Sequence, residues 1–226
     1  MSKVAVVVGA GPGLGAAVVR RFAREGFSVA AVARSESTLA GLVDAKPFTA
    51  DTTDAASVSS SSTSIAKSLG PIDVLVYNAG AFQMGSVLEL SPADFERCWR
   101  ANCLGGFLWA REVAGDMVKR GAGTIIFTGA TASLRGGARF SALAVGKFGL
   151  RALSQSLARE LGDKGVHVAH AIVDGQIESS RTKQAGRDAS TVLSPDAIAD
   201  AYWYLHTQAR SAWTQELDLR PNVEKW

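Results

Sequence analysis

The chain is poor in residues that staple a fold or ligate a metal. Among 226 residues there are two cysteines and three histidines. Cys98 and Cys103 stand five apart, without a Cys-x-x-Cys pair or a cluster with histidine, so neither a zinc site nor a disulfide framework is expected. No run of 18 apolar residues occurs, which argues against a membrane-spanning helix and a membrane partner. The start, Met1-Ser2-Lys3 and then Val4, leads straight into an apolar, glycine-rich stretch too short for an export signal. A reducing cytoplasm is therefore the expected location. An excess of one charge is also lacking. Lysine plus arginine number 24 against 21 acidic residues, with no dense basic stripe, so nucleic acid is not an expected partner.

What is present is the material of a core. Hydrophobic residues make up 47% of the chain and charged residues 20%, which excludes wholesale disorder. At roughly 100–200 residues per domain, residues 1–226 read as one domain. Apolar blocks alternate with helical stretches. Strands are expected at Val4 to Val8, Ser28 to Ala33, Pro47 to Ala50, Ile72 to Tyr77, Gly123 to Thr128, Val166 to Val173 and Trp213 to Leu219. Helices are expected at Ala16 to Glu25, from Pro92 to about Lys119, from Arg139 to Leu161, and from Pro195 to about Gln208. Ser91-Pro92 and Ser194-Pro195 supply a capping hydroxyl and a first-turn proline. The serine-rich stretch Ser57 to Ser64 lies where a connecting helix is needed, between Asp54 and Leu69, and reads as a weak surface helix. This alternation predicts an α/β fold: a doubly wound, Rossmann-type parallel sheet of about seven strands with helices on both faces.

The first strand runs into a turn containing Gly9, Gly11, Gly13, Leu14 and Gly15, and a helix follows at once. Glycines let a pyrophosphate approach the backbone, and the helix N-terminus offers unpaired N–H groups and partial positive charge. In this strand–turn–helix setting the pattern points to a dinucleotide; a tight turn without a ligand is the plainer alternative. The second strand ends at Ala33, followed by Arg34 and Ser35. An acidic residue there would accept hydrogen bonds from a ribose 2′-hydroxyl, and none is present. Arg34 and Ser35 suit a 2′-phosphate instead, favouring NADP over NAD, unless Arg34 is simply a solvated charge.

With these residues in view, the chain resembles the short-chain dehydrogenase/reductase family. Gly9, Gly13 and Gly15 match that family's Gly-x-x-x-Gly-x-Gly pattern, with Val8 where threonine is usual. Asp51 resembles the family's adenine-contacting aspartate. Tyr77-Asn78-Ala79-Gly80 is similar to Asn-Asn-Ala-Gly, which lies along the adenine-ribose side of the cofactor. Arg100-Ala-Asn102-Cys-Leu-Gly105 matches the helix motif carrying the family's asparagine, and Gly175, Ile177 and Ser179 fit the segment along the nicotinamide. The resemblance implies hydride transfer between a nicotinamide and a small carbonyl or alcohol substrate. It also implies a homodimer or homotetramer built on the two long helices, where Trp99, Cys103, Phe107 and Trp109 offer surplus apolar surface.

The catalytic pattern departs from the family. There, a tyrosine and a lysine four residues apart share a helix face, and a serine about thirteen residues earlier polarises the substrate oxygen. Lys147 fits the lysine, but Leu143 stands at the tyrosine position and Ala130 at the serine position. Leucine cannot donate a proton and alanine cannot polarise a carbonyl, a loss typically worth 10²–10⁴-fold in rate for the acid alone. Asn102 and Lys147 remain. Thr128, Thr131, Ser133 and Ser141 are the nearest hydroxyls, and Thr131 is the candidate to donate a hydrogen bond to the substrate oxygen, a helix cap or surface hydroxyl being the alternative for each. Asp174 stands where the family has proline; it reads as a turn residue, with a pocket carboxylate as the alternative. Three expectations follow: an NADP-dependent oxidoreductase with an atypical centre, a non-catalytic NADP(H)-binding sensor or subunit, or a changed reaction such as a proton-transfer or lyase step with the nucleotide structural. Phe82, Met84 and Leu134 read equally as a pocket wall or as plain packing, and the resemblance implies that Gln176 to Leu193, with Arg181, Lys183 and Arg187, is a substrate lid.

Overall fold

Five uninterrupted apolar residues, Val4–Val8, form strand β1, and all five are buried because helices cover both faces of the sheet. The computed structural model describes residues 2–186 and 188–223. After β1 come α1 (Leu14–Arg24), β2 (Ser28–Ala33), α2 (Glu36–Leu39), β3 (Lys46–Thr49), α3 (Ala55–Leu69) and β4 (Ile72–Tyr77). The second half contains α4 (Pro92–Trp99), α5 (Gly105–Arg120), β5 (Gly123–Thr128), α6 (Ser141–Leu161), β6 (Val166–Val173), α7 (Ser180–Gln184), α8 (Pro195–Thr207) and β7 (Glu216–Leu219). The seven strands form one parallel sheet in the order β3-β2-β1-β4-β5-β6-β7, the doubly wound architecture expected from the sequence.

Alternation along the strands divides the core. Val4, Val6 and Val8 face a layer containing Ile65 of α3, Trp109 of α5 and Leu150 of α6. Ala5 and Val7 face α1 and α8, against Phe22 and Tyr202. The winding reverses between β1 and β4, and such a switch point opens a ligand crevice at the carboxyl ends of the strands.

The bounds of α1 and β3 shift by one or two residues, the short helices α2 and α7 were not expected, and four further elements differ from the sequence reading. The helix expected from Pro92 to Lys119 is two helices, α4 and α5, joined by a π-turn at Arg100–Leu104. The Tyr77 hydroxyl donates to the Ala101 carbonyl at 2.6 Å, drawing that carbonyl toward β4. Helix α6 starts at Ser141 rather than Arg139, because Arg139 has φ +70° and cannot continue a right-handed helix. Strand β7 starts at Glu216 rather than Trp213; Trp213 stacks on His167, with ring centres 4.8 Å apart. The serine-rich helix α3 is capped by Asp54, which accepts from Ala56 N and Ser57 N. It is more than a surface helix, since Val58, Ser61, Ser62 and Ile65 are buried. No described helix is long and apolar enough to cross a membrane.

Candidate active site

The glycine turn leaves the start of α1 open. Gly13 precedes the helix with no side-chain cap, and the first turn carries no acidic residue. Ala16 N donates to Gly11 O and Ala17 N to Gly13 O, both at 3.0 Å, which leaves the helix dipole and the earlier N–H groups of the turn to an anion. Gly9 has φ +87°, and a Cβ there would stand 2.5 Å from Ala79 N. A Cβ on Gly15 would strike the Gly9 carbonyl oxygen. Asn78 locks β4 to this turn: its N–H donates to Val8 O at 2.8 Å and its side-chain amide to Gly9 O at 3.0 Å. Asn78 and Ala79 thus meet Gly9 at the switch point.

At the end of β2, Arg34 and Ser35 are exposed. The Ser35 hydroxyl lies 3.1 Å from Ser37 Oγ and 2.9 Å from Thr38 Oγ1. The Thr38 methyl lies 3.6 Å from where a Cβ on Gly11 would stand, so the hydroxyl cluster borders the glycine turn. Asp51 follows β3. Hydrogen bonds from the Thr53 N–H and hydroxyl, with a smaller contribution from the Arg34 charge, hold its carboxyl below the usual range.

A second cluster sits deeper. The π-turn buries Asn102 completely. Its Nδ2 donates to Ala81 O at 2.7 Å and to Cys98 O at 2.9 Å, which fixes the amide orientation. Its Oδ1 is buried with no hydrogen-bond partner among the described residues. Lys147 is 7% exposed, and its Nζ donates to Thr128 O at 2.8 Å. Burial pushes the Lys147 ammonium down to about 8. A Cβ on Gly80 would lie 2.7 Å from Asn102 Oδ1 and 3.8 Å from Lys147 Nζ. The sulfur of Cys98, which donates to Ala81 O at 3.2 Å, borders the same cluster, and burial pushes its thiol up.

Leu143, half-buried, lies one helical turn before Lys147 on α6, and Ala130 is half-buried beyond β5. Thr128 turns away from them, its hydroxyl 2.8 Å from that of Tyr202. Ser133 Oγ accepts from Ala130 N at 3.1 Å and lies 3.4 Å from Nε2 of buried His170, which burial pushes down to about 4. The three tyrosines lie elsewhere. Tyr77 is bonded to Ala101 O, Tyr202 is buried against Thr128, and Tyr204 is exposed on α8.

Thr131 and Asp174 depart from their sequence readings. Asp174 is not a simple turn residue: it is 2% exposed, accepts the Thr131 hydroxyl hydrogen on Oδ1, and presents Oδ2 to Arg220 at 3.2 Å. Thr131 therefore directs its hydrogen to Asp174. Gly175 has φ +146° and packs on Pro221 and Leu193. Ile177 bridges to Leu193, and Ser179 exchanges hydrogen bonds with Thr182 at the start of α7. A cleft of about 230 Å³ joins Gly13 and Arg20 to Ser179, Lys183 and Ser194. Lys183 pairs with Glu178 at 2.8 Å, and Arg187 lies outside the described residues.

At the rim, Phe82 and Met84 are 62% and 50% exposed, and the Phe82 and Phe140 rings meet edge to face. Trp109 belongs to the core, whereas Trp99 and Phe107 are exposed, as are Val145 and Phe148 on α6.

A family model described as short chain dehydrogenase matches residues 3–190. The chain belongs to this family. A short-chain dehydrogenase structure from Rhodopseudomonas palustris shares 39% identity, with a TM-score of 0.85 over 97% of this chain and 98% of that one. A metagenomic short-chain oxidoreductase solved with NADP shares 28% identity, with a TM-score of 0.84 over 98% of each chain. D-threitol dehydrogenase of Mycolicibacterium smegmatis is 34% identical over 74% of this chain and 67% of its own length. This short-chain dehydrogenase/reductase is thus an oxidoreductase by family. Sequence reasoning missed Ser37, Thr38, Cys98 and Arg220 as site neighbours. The hydroxyl run after Arg34 was a usable signal for the first two. Nothing local marks Arg220, which reaches Asp174 from the far end of β7.

Proposed function

We propose that the chain is an NADP-dependent oxidoreductase acting on a carbonyl/alcohol pair with an atypical catalytic centre. The observation that carries this reading is the convergence of the unpartnered Asn102 oxygen and the Lys147 ammonium on Gly80, beside the open start of α1. An orphaned buried acceptor and a buried ammonium are costly without a ligand or water to meet them. A bound nicotinamide dinucleotide supplies the hydride chemistry. Gly9, Gly11, Gly13, Leu14 and Gly15 would hold its pyrophosphate, and Asp51, Asn78, Ala79 and Gly80 its adenosine side. Gly175, Ile177 and Ser179 would line its carboxamide end. Lys147 would hold the ribose hydroxyls, and Asn102 a water.

Arg34, Ser35, Ser37 and Thr38 support NADP over NAD, since a guanidinium and three hydroxyls match a phosphate and leave a ribose diol without an acidic partner. The relative solved with NADP is consistent with this choice. Leu143 and Ala130 support a slow reaction, with the proton carried by water near Asn102 and Lys147. The exposed apolar faces of α4, α5 and α6 support a homodimer or homotetramer.

A second reading, an NADP(H)-binding sensor or subunit without turnover, is favoured by one observation: the Thr131 hydrogen is committed to Asp174. Calorimetric titration with NADPH and NADH, followed by turnover on a carbonyl panel, tests both. Tighter NADPH binding with slow turnover supports the enzyme. Tight binding with no turnover on any substrate supports the sensor, and absence of binding overturns both.

A further inference from the structure

Behind β5 and β6, Thr131, Asp174 and Arg220 form one hydrogen-bonded chain. This inference rests on the proposed reading of the site as one that holds a substrate oxygen. Asp174 is buried, with one carboxylate oxygen on Thr131 and the other on Arg220, which also pairs with Asp218. The Asp174 backbone is fixed as well, its N–H donating to Leu219 O at 2.8 Å. A carboxylate beside a guanidinium accepts hydrogen bonds and gives none. A threonine hydroxyl has one hydrogen and two lone pairs. With the hydrogen turned to Asp174, half-buried Thr131 has lone pairs to offer the crevice.

Asn102 is polarised in the same sense. Both of its amide hydrogens are used, on Ala81 O and Cys98 O, and its oxygen is unpartnered. The side chains remaining at positions 102 and 131 therefore present acceptors. We propose that Asp174 is a positioning residue that makes Thr131 a hydrogen-bond acceptor, so that the site selects the hydroxyl form of its substrate, an alcohol, over the matching carbonyl compound. An alcohol gives its hydrogen to Thr131. A carbonyl oxygen has none to give and meets the Thr131 lone pairs instead, leaving that contact unmade, whereas the Lys147 ammonium can donate to either oxygen and does not set the preference.

The test uses matched probes: cyclohexanol with cyclohexanone, and benzyl alcohol with benzaldehyde. Each is titrated calorimetrically into the full-length protein saturated with the cofactor form that cannot react with it, NADPH for alcohols and NADP⁺ for carbonyl compounds. The wild type is expected to bind the alcohols about tenfold or more tightly than their partners. Thr131→Val keeps the side-chain shape and the Asp174–Arg220 pair, and is expected to lose the alcohol preference. In Asp174→Asn, Arg220 holds the amide oxygen, so the amide nitrogen donates to Thr131 and turns the hydroxyl hydrogen outward. The ratio is then expected to shift toward the carbonyl compounds, a change of selectivity that loss of packing alone would not produce. If Asp174→Asn does not fold, Thr131→Val decides. Alcohols bound no more tightly than carbonyl compounds by the wild type, or an unchanged ratio in Thr131→Val, would overturn the proposal in a protein that binds NADPH. Failure to bind NADPH is a different result, and it removes the underlying reading.

Discussion

Asn102 and Lys147 converge on Gly80: a single added methyl there would stand 2.7 Å from the Asn102 oxygen and 3.8 Å from the Lys147 nitrogen. The asparagine cannot retreat freely, because its amide is held by Ala81 O and Cys98 O. Gly80→Ala is expected to lower stability by about 1–3 kcal/mol through overpacking. It is also expected to weaken NADPH binding. Urea unfolding and calorimetric titration measure the two effects, and wild-type values for both would refute the crowding argument.

Arg34→Ala is expected to erase the preference for NADPH over NADH. Loss of charge-assisted hydrogen bonds to a phosphate, worth about 1.5–3 kcal/mol, corresponds to roughly 10–150-fold in NADPH affinity, with little change for NADH. Titration of both cofactors against both proteins checks it. Equal affinities in the wild type would remove Arg34 from the site.

The double substitution Ala130→Ser with Leu143→Tyr is expected to raise turnover on a carbonyl panel by about 10²–10⁴-fold. Position 143 lies one helical turn before Lys147, so a phenol there would share a helix face with a buried ammonium. A fast wild type, or a double variant no faster than it, would show that the proton is handled elsewhere.

Acid should destabilise the protein in two stages. Burial pushes His170 and His206 down to about 4, so their contribution is complete above 6.5 and is lost as pH falls toward 4. Glu216, held by Arg151 and Gln155, is lowered to about 2, so its contribution is present above 4.5 and is lost as pH falls toward 2. His170→Asn should flatten the first stage by an amount on the order of 3 kcal/mol and leave the second in place. Denaturant unfolding between pH 7 and 2 measures both. An unchanged slope in the variant would show that His170 is not buried as the neutral form.

The strands were legible because each buried run is local. Val4–Val8 is a continuous apolar stretch and Val166–Val173 is apolar but for His167 and His170, and their bounds needed no knowledge of neighbours. The glycine turn was legible for the same reason: Gly9 to Gly15 must bend within seven residues. Element starts were less so. Arg139 adopts φ +70° while its carbonyl accepts from Gly85 N at 2.9 Å, a contact that sequence pattern does not encode. Nor does composition say that Ser61 and Ser62 of the serine-rich helix face inward.

The sequence by itself determined the doubly wound sheet, the glycine turn that leads into α1, and the presence of Leu143 four residues and Ala130 seventeen residues before Lys147. Each follows from short-range periodicity or from residue identity at a fixed spacing. Tertiary structure alone decided which way the remaining polar atoms point. Asp174 and Arg220 lie on different strand ends, and Asn102 takes its orientation from carbonyls at Ala81 and Cys98. A hydrogen bond depends on where donor and acceptor meet in space, and for these groups parallel strand packing and a π-turn set that meeting.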